Sequence, residues 1–461
     1  MPIASVNPAT GQTIREFEEL SDAALETRLA RAHDAFGRWR RTPVAARAAV
    51  IARLGELLEA EKEQLGRVMT LEMGKPLRAA IEEAAKCAAG CRYYAEHAEA
   101  FLAPERVPDG GDDGYVLYQP VGVVLAVMPW NFPFWQTVRF LAPALAAGNV
   151  GLLKHASNVP QCALLIEELV RRAGAPEGVF QALLIGSKRV RTVLEDARVA
   201  AATLTGSEGA GADVAAVAGA RIKKTVLELG GSDPFVVLPS ADVAKAAEWA
   251  VKARMVNNGQ SCIAAKRFIV HERVADEFER RFAAGLRGLT VGDPMAPGTD
   301  IGPLATAQLV DDLERQLRES VAMGARVVVG GRRLPGAGNF FEPTLLADVP
   351  RGSPAARDET FGPLAALLRV PDADAALETA NDSTFGLGAS VWTTDDAEAR
   401  RFTEELEAGQ VFVNAMVASD PRFPFGGVKR SGYGRELGPW GLREFVNVKT
   451  VRGRTLTSEV E

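Results

Sequence analysis

Asn149-Val150-Gly151-Leu152-Leu153-Lys154 is the first of a series of short apolar runs that decide the fold. Residues 179–185 and Val199-Ala200-Ala201-Ala202-Thr203-Leu204-Thr205 repeat it, with helix-like stretches at 160–172 and 187–194 between them. Short apolar strands alternating with helices predict a layered α/β unit whose sheet is mainly parallel. Upstream, residues 22–99 are rich in Ala, Leu, Glu and Arg and poor in Gly and Pro, which predicts several helices, including 46–69 and 76–97. A turn-rich stretch, Asp109-Gly110-Gly111-Asp112-Asp113-Gly114, leads into extended residues 115–127, interrupted by Pro120 and Gly122. A second α/β region follows Gly231, with strands expected at 233–238, 264–270 and 325–329 and helices at 241–257 and 274–289. Residues 442–450 alternate as a last strand, an edge able to pair with another subunit.

A chain of 461 residues with 47 % hydrophobic content needs more than one core. Its net charge of −6 gives no reason to expect a nucleic-acid partner. The start, Met1-Pro2-Ile3-Ala4-Ser5, lacks a basic segment followed by an apolar core, so no secretory signal is expected. The longest apolar stretches are broken by Gly, Pro or Asn, as in buried α/β elements, and no membrane span is expected. Four cysteines without regular spacing do not make a disulfide framework, and the cytoplasm is the expected location. His33, His97, His155 and His271 are scattered, which favours a metal-free mechanism.

Cys262 stands apart from the other cysteines. It follows Asn257-Asn258-Gly259-Gln260-Ser261, small and polar residues that leave room for a substrate, whereas Cys87, Cys91 and Cys162 lie in helix-like stretches suited to buried thiols. Glu228, in Leu227-Glu228-Leu229-Gly230-Gly231, supplies a possible base for a covalent mechanism. Asn131, in Pro129-Trp130-Asn131-Phe132-Pro133, is a candidate oxyanion donor or a simple turn residue. Gly206 and Ser207 lie between a strand and a helix, where backbone amides can face a diphosphate, and Lys154 ends an earlier strand where a fixed cation suits a nucleotide. Glu359 and Phe361, in Glu359-Thr360-Phe361-Gly362-Pro363, offer a ribose acceptor and a ring-packing face, or are ordinary loop residues.

Together with Pro424-Phe425-Gly426-Gly427-Val428-Lys429, these motifs resemble the NAD(P)-dependent aldehyde dehydrogenase superfamily along nearly the whole chain. The resemblance implies a Rossmann-type cofactor domain (1–114 and 128–230), a second α/β catalytic domain (231–425) and a small β oligomerisation element (115–127 and 440–461). It implies a homodimer or a dimer-based tetramer. In that family Cys262 would attack an aldehyde, Asn131 and the Cys262 amide would hold the oxyanion, and Glu228 would activate water against the thioester. Trp130, Lys154, Ser157, Gly206, Ser207, Glu359 and Phe361 would form the cofactor site. A carboxylate at position 228 favours hydrolysis over transfer to coenzyme A.

Two departures refine the expectation. The family commonly carries Lys-Pro-Ser/Ala-Glu where this chain reads Lys154-His155-Ala156-Ser157. Losing the Glu removes repulsion against a 2′-phosphate and favours NADP+, with NAD+ use still open. Arg139, eight residues after Asn131, resembles the channel arginine of succinate-semialdehyde dehydrogenases, with Trp135 one turn earlier and Ser419 as a further carboxylate contact. The second arginine of the long forms is replaced by Val256. The motif at 154–160 and the lack of an N-terminal extension resemble the short bacterial members. The expected substrate is therefore succinate semialdehyde, an anionic small aldehyde; glutarate semialdehyde, a broad range of aldehydes and a non-catalytic binding protein are the alternatives.

Overall fold

A computed structural model describes residues 3–107 and 114–452. Two large sheets dominate it. The first has six strands in the order Gly432–Tyr433, Lys224–Glu228, Val199–Thr205, Val123–Met128, Val150–His155, Phe180–Ala182. Five are parallel, and only Gly432–Tyr433 runs against its neighbour. Helices bury its central strands on both faces, which is why Val123–Met128 and Val150–His155 read as nearly unbroken apolar runs.

The chain builds outward from Val123–Met128 in one direction and then returns to add Val199–Thr205 on its other side. That reversal places a crevice at the carboxyl ends of these strands, where ligands bind in open parallel sheets. Met128 leads to Trp130 and Asn131, Lys154 and His155 lead to Ser157, Thr205 leads to Gly206, and Glu228 leads to Gly230.

The second sheet has seven strands in the order Arg326–Val329, Thr344–Ala347, Leu364–Val370, Arg267–His271, Pro234–Val237, Ala389–Trp392, Val411–Val413. Only the first pair is antiparallel. Arg267–His271 and Leu364–Val370 are parallel neighbours, so the loops before them, which carry Cys262 and Glu359–Phe361, emerge at the same edge.

The helical region lies where expected, but 46–69 is two helices, Val44–Ala60 and Lys62–Met73, broken at Glu61. Residues 115–127 do not form one element. Tyr115–Pro120 pairs antiparallel with Val446–Val451 in a three-stranded sheet, whereas Val123–Met128 belongs to the six-stranded sheet. Positive φ at Gly122 (146°) turns the chain from one sheet to the other. The segment 442–450 also divides, since Gly438–Arg443 is a short helix ahead of the strand. The six-stranded sheet likewise takes a strand, Gly432–Tyr433, from beyond residue 425. Most of the turn at 109–114 and the end of 440–461 lie outside the described residues. Among the described residues no helix is long and apolar enough to cross a membrane.

Candidate active site

The loop that carries Cys262 is held from several directions. Asn257, Asn258 and Gly259 take successive left-handed conformations (φ 57°, 60° and 74°) that Asn and Gly tolerate best. The Asn257 amide donates to the carbonyls of Asn131 (2.7 Å) and Gln260 (3.0 Å). Asn258 donates to the carbonyls of Gly74 and Pro303 and accepts from the Gly302 N–H. A Cβ on Gly259 would stand 2.3 Å from the Gly362 carbonyl oxygen. The polar approach to Cys262 is therefore a buried staple, not the open space expected of small polar residues.

Two cations complete that frame. Arg254, fully buried, donates to the carbonyls of Ala265, Gly259, Thr360 and Gly362, tying the Cys262 loop to the loop of Glu359 and Phe361. Lys266 donates to the carbonyls of Ser261 (2.8 Å) and Cys262 (2.6 Å) and stands 3.7 Å from Glu359. Burial pushes the Cys262 thiol up to about 12, while Lys266 and Arg139 favour its thiolate. Cys262 is half-buried, whereas Cys87, Cys91 and Cys162 are sealed in the core.

Asn131 is buried beside this loop, its Nδ2 donating to the Gln260 carbonyl at 3.1 Å. Among the described residues no backbone hydrogen bond uses the Cys262 N–H. The Glu228 turn packs against Cys262 through Gly231, where a Cβ would come within 2.7 Å of the Cys262 carbonyl oxygen. The Glu228 carboxylate itself turns toward Gly426; a Cβ there would meet its Oε1 at 2.7 Å. Neither Glu228 oxygen receives a hydrogen bond from the described residues. Burial raises its pKa well above the carboxylate range, the Glu436 carboxylate raises it further, and Arg139 and Arg435 oppose both.

A cavity of about 210 Å³ opens onto Cys262 and is lined by Trp135, Arg139 and Ser419 among others. Arg139 and Trp135 share the buried helix Trp135–Ala146. Glu83 fixes the start of that helix, accepting from the Phe134 and Trp135 N–H groups at 2.9 Å each and pairing with Lys75. Arg139 forms a buried ion pair with Glu436 and lies 4.5 Å over the Phe425 ring. Lys86 also lines the cavity; its Nζ donates to Ser419 Oγ at 2.6 Å and sits 4.5 Å over the Trp135 ring.

The cofactor candidates gather at the crevice. Ser207 caps the helix Glu208–Ala220, accepting from the Ala210 N–H, and the Gly206 N–H donates to the Glu228 carbonyl. Lys154 is buried, which lowers its ammonium, with Glu19 partly compensating; among the described residues it makes no hydrogen bond or ion pair. The Ser157 carbonyl accepts from Ala4, so the N-terminal strand Ile3–Val6 braces this turn. Glu359 accepts from the Gly231 N–H at 3.0 Å, and Phe361 meets Trp130 edge-on at 5.7 Å. These groups fit a phosphorylated dinucleotide: a buried unpaired cation, a serine where a carboxylate would repel phosphate, and a helix start. Among the described residues no cluster of His, Cys, Asp or Glu is placed to hold a metal ion.

Glu436, Lys86, Lys266, Arg254 and Glu83 carried no motif in the sequence. Each becomes visible only when segments far apart in the chain are brought together.

This combination of a doubly wound cofactor sheet, a second α/β unit and a cysteine at their junction defines an aldehyde dehydrogenase fold. A profile of the aldehyde dehydrogenase family matches residues 1–451, and the chain belongs to that family. It is 55 % identical over 454 residues to the NADP(+) succinate-semialdehyde dehydrogenase 1 of Mycobacterium tuberculosis, covering 98 % of this chain and 99 % of that one. A probable NADP(+) succinate-semialdehyde dehydrogenase of Synechocystis is 53 % identical over 451 residues, with coverage of 98 % and 99 %. The crystal structure of the Streptococcus pyogenes succinic semialdehyde dehydrogenase in complex with NADP+ superposes with a TM-score of 0.95 at 37 % identity, covering 97 % of this chain and 99 % of that one.

Proposed function

We propose that this protein oxidises succinate semialdehyde to succinate with NADP+. The observation that carries the reading is the cavity in which Cys262 shares walls with Trp135, Arg139 and Ser419: a nucleophile, an apolar side and polar groups for a distal carboxylate. Lys154 and Ser157 hold the 2′-phosphate side of the cofactor, Gly206 and Ser207 its diphosphate, and Glu359, Phe361 and Trp130 its nicotinamide end. Bound NADP+ supplies the hydride acceptor.

Cys262 Sγ bonds to the aldehyde carbon as the S–H bond breaks and its proton passes to water. Burial keeps the resting thiol protonated at neutral pH, so proton loss accompanies attack. Asn131 Nδ2 and the Cys262 N–H hold the oxyanion of the thiohemiacetal. Loss of hydride from that carbon leaves a thioester on Cys262. Glu228 then takes a proton from water, the hydroxide adds to the thioester, and the C–S bond breaks to release succinate, the Cys262 sulfur regaining a proton from Glu228.

Initial rates of NAD(P)H formation test the reading, using succinate semialdehyde, glutarate semialdehyde and butyraldehyde with each cofactor. The expected result is the largest kcat/KM for succinate semialdehyde with NADP+. A preference for butyraldehyde overturns the substrate, and a preference for NAD+ overturns the cofactor.

The same proposal assigns the six-stranded unit to cofactor binding and the seven-stranded unit to the nucleophile. It places a homodimer, or a tetramer built from it, at the three-stranded sheet, whose strand Val446–Val451 leaves Val448 60 % exposed. Sedimentation velocity reads the subunit count. Four free cysteines suit a reducing cytoplasm.

A further inference from the structure

We infer that Lys86, acting with Ser419, holds the distal carboxylate of the substrate and sets the selectivity for anionic aldehydes. This deepens the proposed substrate and rests on it. Arg139, on which the sequence reading placed this task, already has its charge opposed by Glu436 inside the protein. A guanidinium so paired keeps hydrogen-bonding edges but offers little net attraction to a second anion.

Lys86 differs. It lines the same cavity as Glu82 and Glu83, and among the described residues no carboxylate stands within ion-pair distance of it; Glu83 is taken by Lys75, and Glu83 and Asp420 act on Lys86 only from farther off. Glu82 lies four residues earlier on the helix Leu77–Leu102, the spacing of a common helical ion pair, yet no such pair forms. The Lys86 ammonium turns instead to Ser419 Oγ and the Trp135 face. Because Ser419 accepts from Lys86, its own O–H is left to donate, and the two present converging donors from separate segments. Cys262, Arg139 and Lys86 all line this one cavity. A short chain with its aldehyde at Cys262 and its carboxylate at Lys86 has the Trp135 ring, on which the ammonium sits, along its aliphatic part.

The test compares succinate semialdehyde with butyraldehyde, which has the same carbon count and no carboxylate, in wild type, Lys86→Met and Lys86→Arg, all with NADP+. Lys86→Met is expected to raise KM for succinate semialdehyde about tenfold or more with kcat little changed, the size of one lost charge-assisted contact. Butyraldehyde kcat/KM should stay within about twofold, which also shows that the variant folds, and Lys86→Arg should recover most of the loss. A wild type that prefers succinate semialdehyde together with an unchanged substrate ratio in Lys86→Met overturns the Lys86 assignment alone. Equal losses on both substrates overturn it as well. A wild type with no preference for succinate semialdehyde overturns the proposed substrate and this clamp together.

Discussion

Arg139 and Glu436 pair as ions at the cavity wall, both nearly sealed from solvent, and both act electrostatically on the buried carboxylate of Glu228. Chain topology makes the contact. Phe425 and Glu436 exchange two backbone hydrogen bonds, closing the Pro424–Lys429 motif into a loop, and Arg139 packs on the Phe425 ring. The loop thus delivers a second carboxylate beside Glu228 and lets Arg139 offset it. Burial raises Glu436 as it raises Glu228, and Arg139 opposes the rise in both.

Variants of this pair should move the acid limb of the kcat–pH profile in opposite directions. Glu436→Gln removes a negative charge from beside Glu228, lowers the pH at which that base ionises and shifts the limb down. Arg139→Met removes a cation, raises both carboxylates and shifts the limb up. Because a buried partner is left uncompensated, Arg139→Met should also cost about 3–5 kcal/mol of stability in denaturant titrations. Part of its kinetic loss must fall on butyraldehyde too. Untouched butyraldehyde turnover would remove Arg139 from the electrostatics of Glu228.

Alkylation reports the nucleophile. With the Cys262 thiol pushed up to about 12, the thiolate fraction in the cofactor-free enzyme rises throughout the neutral range. Iodoacetamide inactivation should therefore accelerate about tenfold per pH unit from pH 6 to 9, without a plateau. A plateau near pH 7 would mean that the resting site already ionises the thiol. Cys262→Ala should abolish NADPH formation.

The Glu228 assignment separates the two halves of turnover. Glu228→Gln keeps the shape of the side chain but cannot take a proton from water. Rapid mixing of this variant with aldehyde and NADP+ should give a burst of NADPH near one per active site, followed by a steady rate reduced about a hundredfold or more. Gly426→Ala should show the same pattern more weakly, because its Cβ would crowd Glu228 Oε1 at 2.7 Å. Loss of the burst itself would assign Glu228 to the attack step.

The parallel sheet was readable because its strands are local and apolar on both faces, and their helices follow at regular spacing. Cys262, Glu228 and Asn131 stand in short motifs with unusual composition, so each was legible as a candidate from its own neighbours. Their physical support was not. Arg254 serves carbonyls from residues 259 to 362, and Lys86 meets Ser419 across 333 positions. A lysine in an Ala/Glu-rich helix carries no local sign that a loop from the far end of the chain will cover it. The split of residues 115–127 between two sheets was hidden for a related reason, since two adjacent extended runs look alike until their pairing partners are known.

The proposed preference for NADP+ is tested at Ser157. Its turn begins at the carboxyl end of Val150–His155, is braced by Ala4, and lies three residues beyond the unpaired Lys154. A serine leaves the Lys154 charge available to a 2′-phosphate. Ser157→Glu places an anion beside that ammonium, repels the phosphate and offers an acceptor to the free ribose hydroxyls of NAD+. The ratio of kcat/KM for NADP+ over NAD+ should fall by about tenfold or more, the equivalent of roughly 1.4 kcal/mol, with rates at saturating cofactor little altered. Lys154→Met should weaken NADP+ more than NAD+, because only the former brings a phosphate to the ammonium. Isothermal titration of each variant with both cofactors, without aldehyde, measures the same preference apart from catalysis. If Ser157→Glu leaves the two affinities in their original ratio, the phosphate does not bind at this turn.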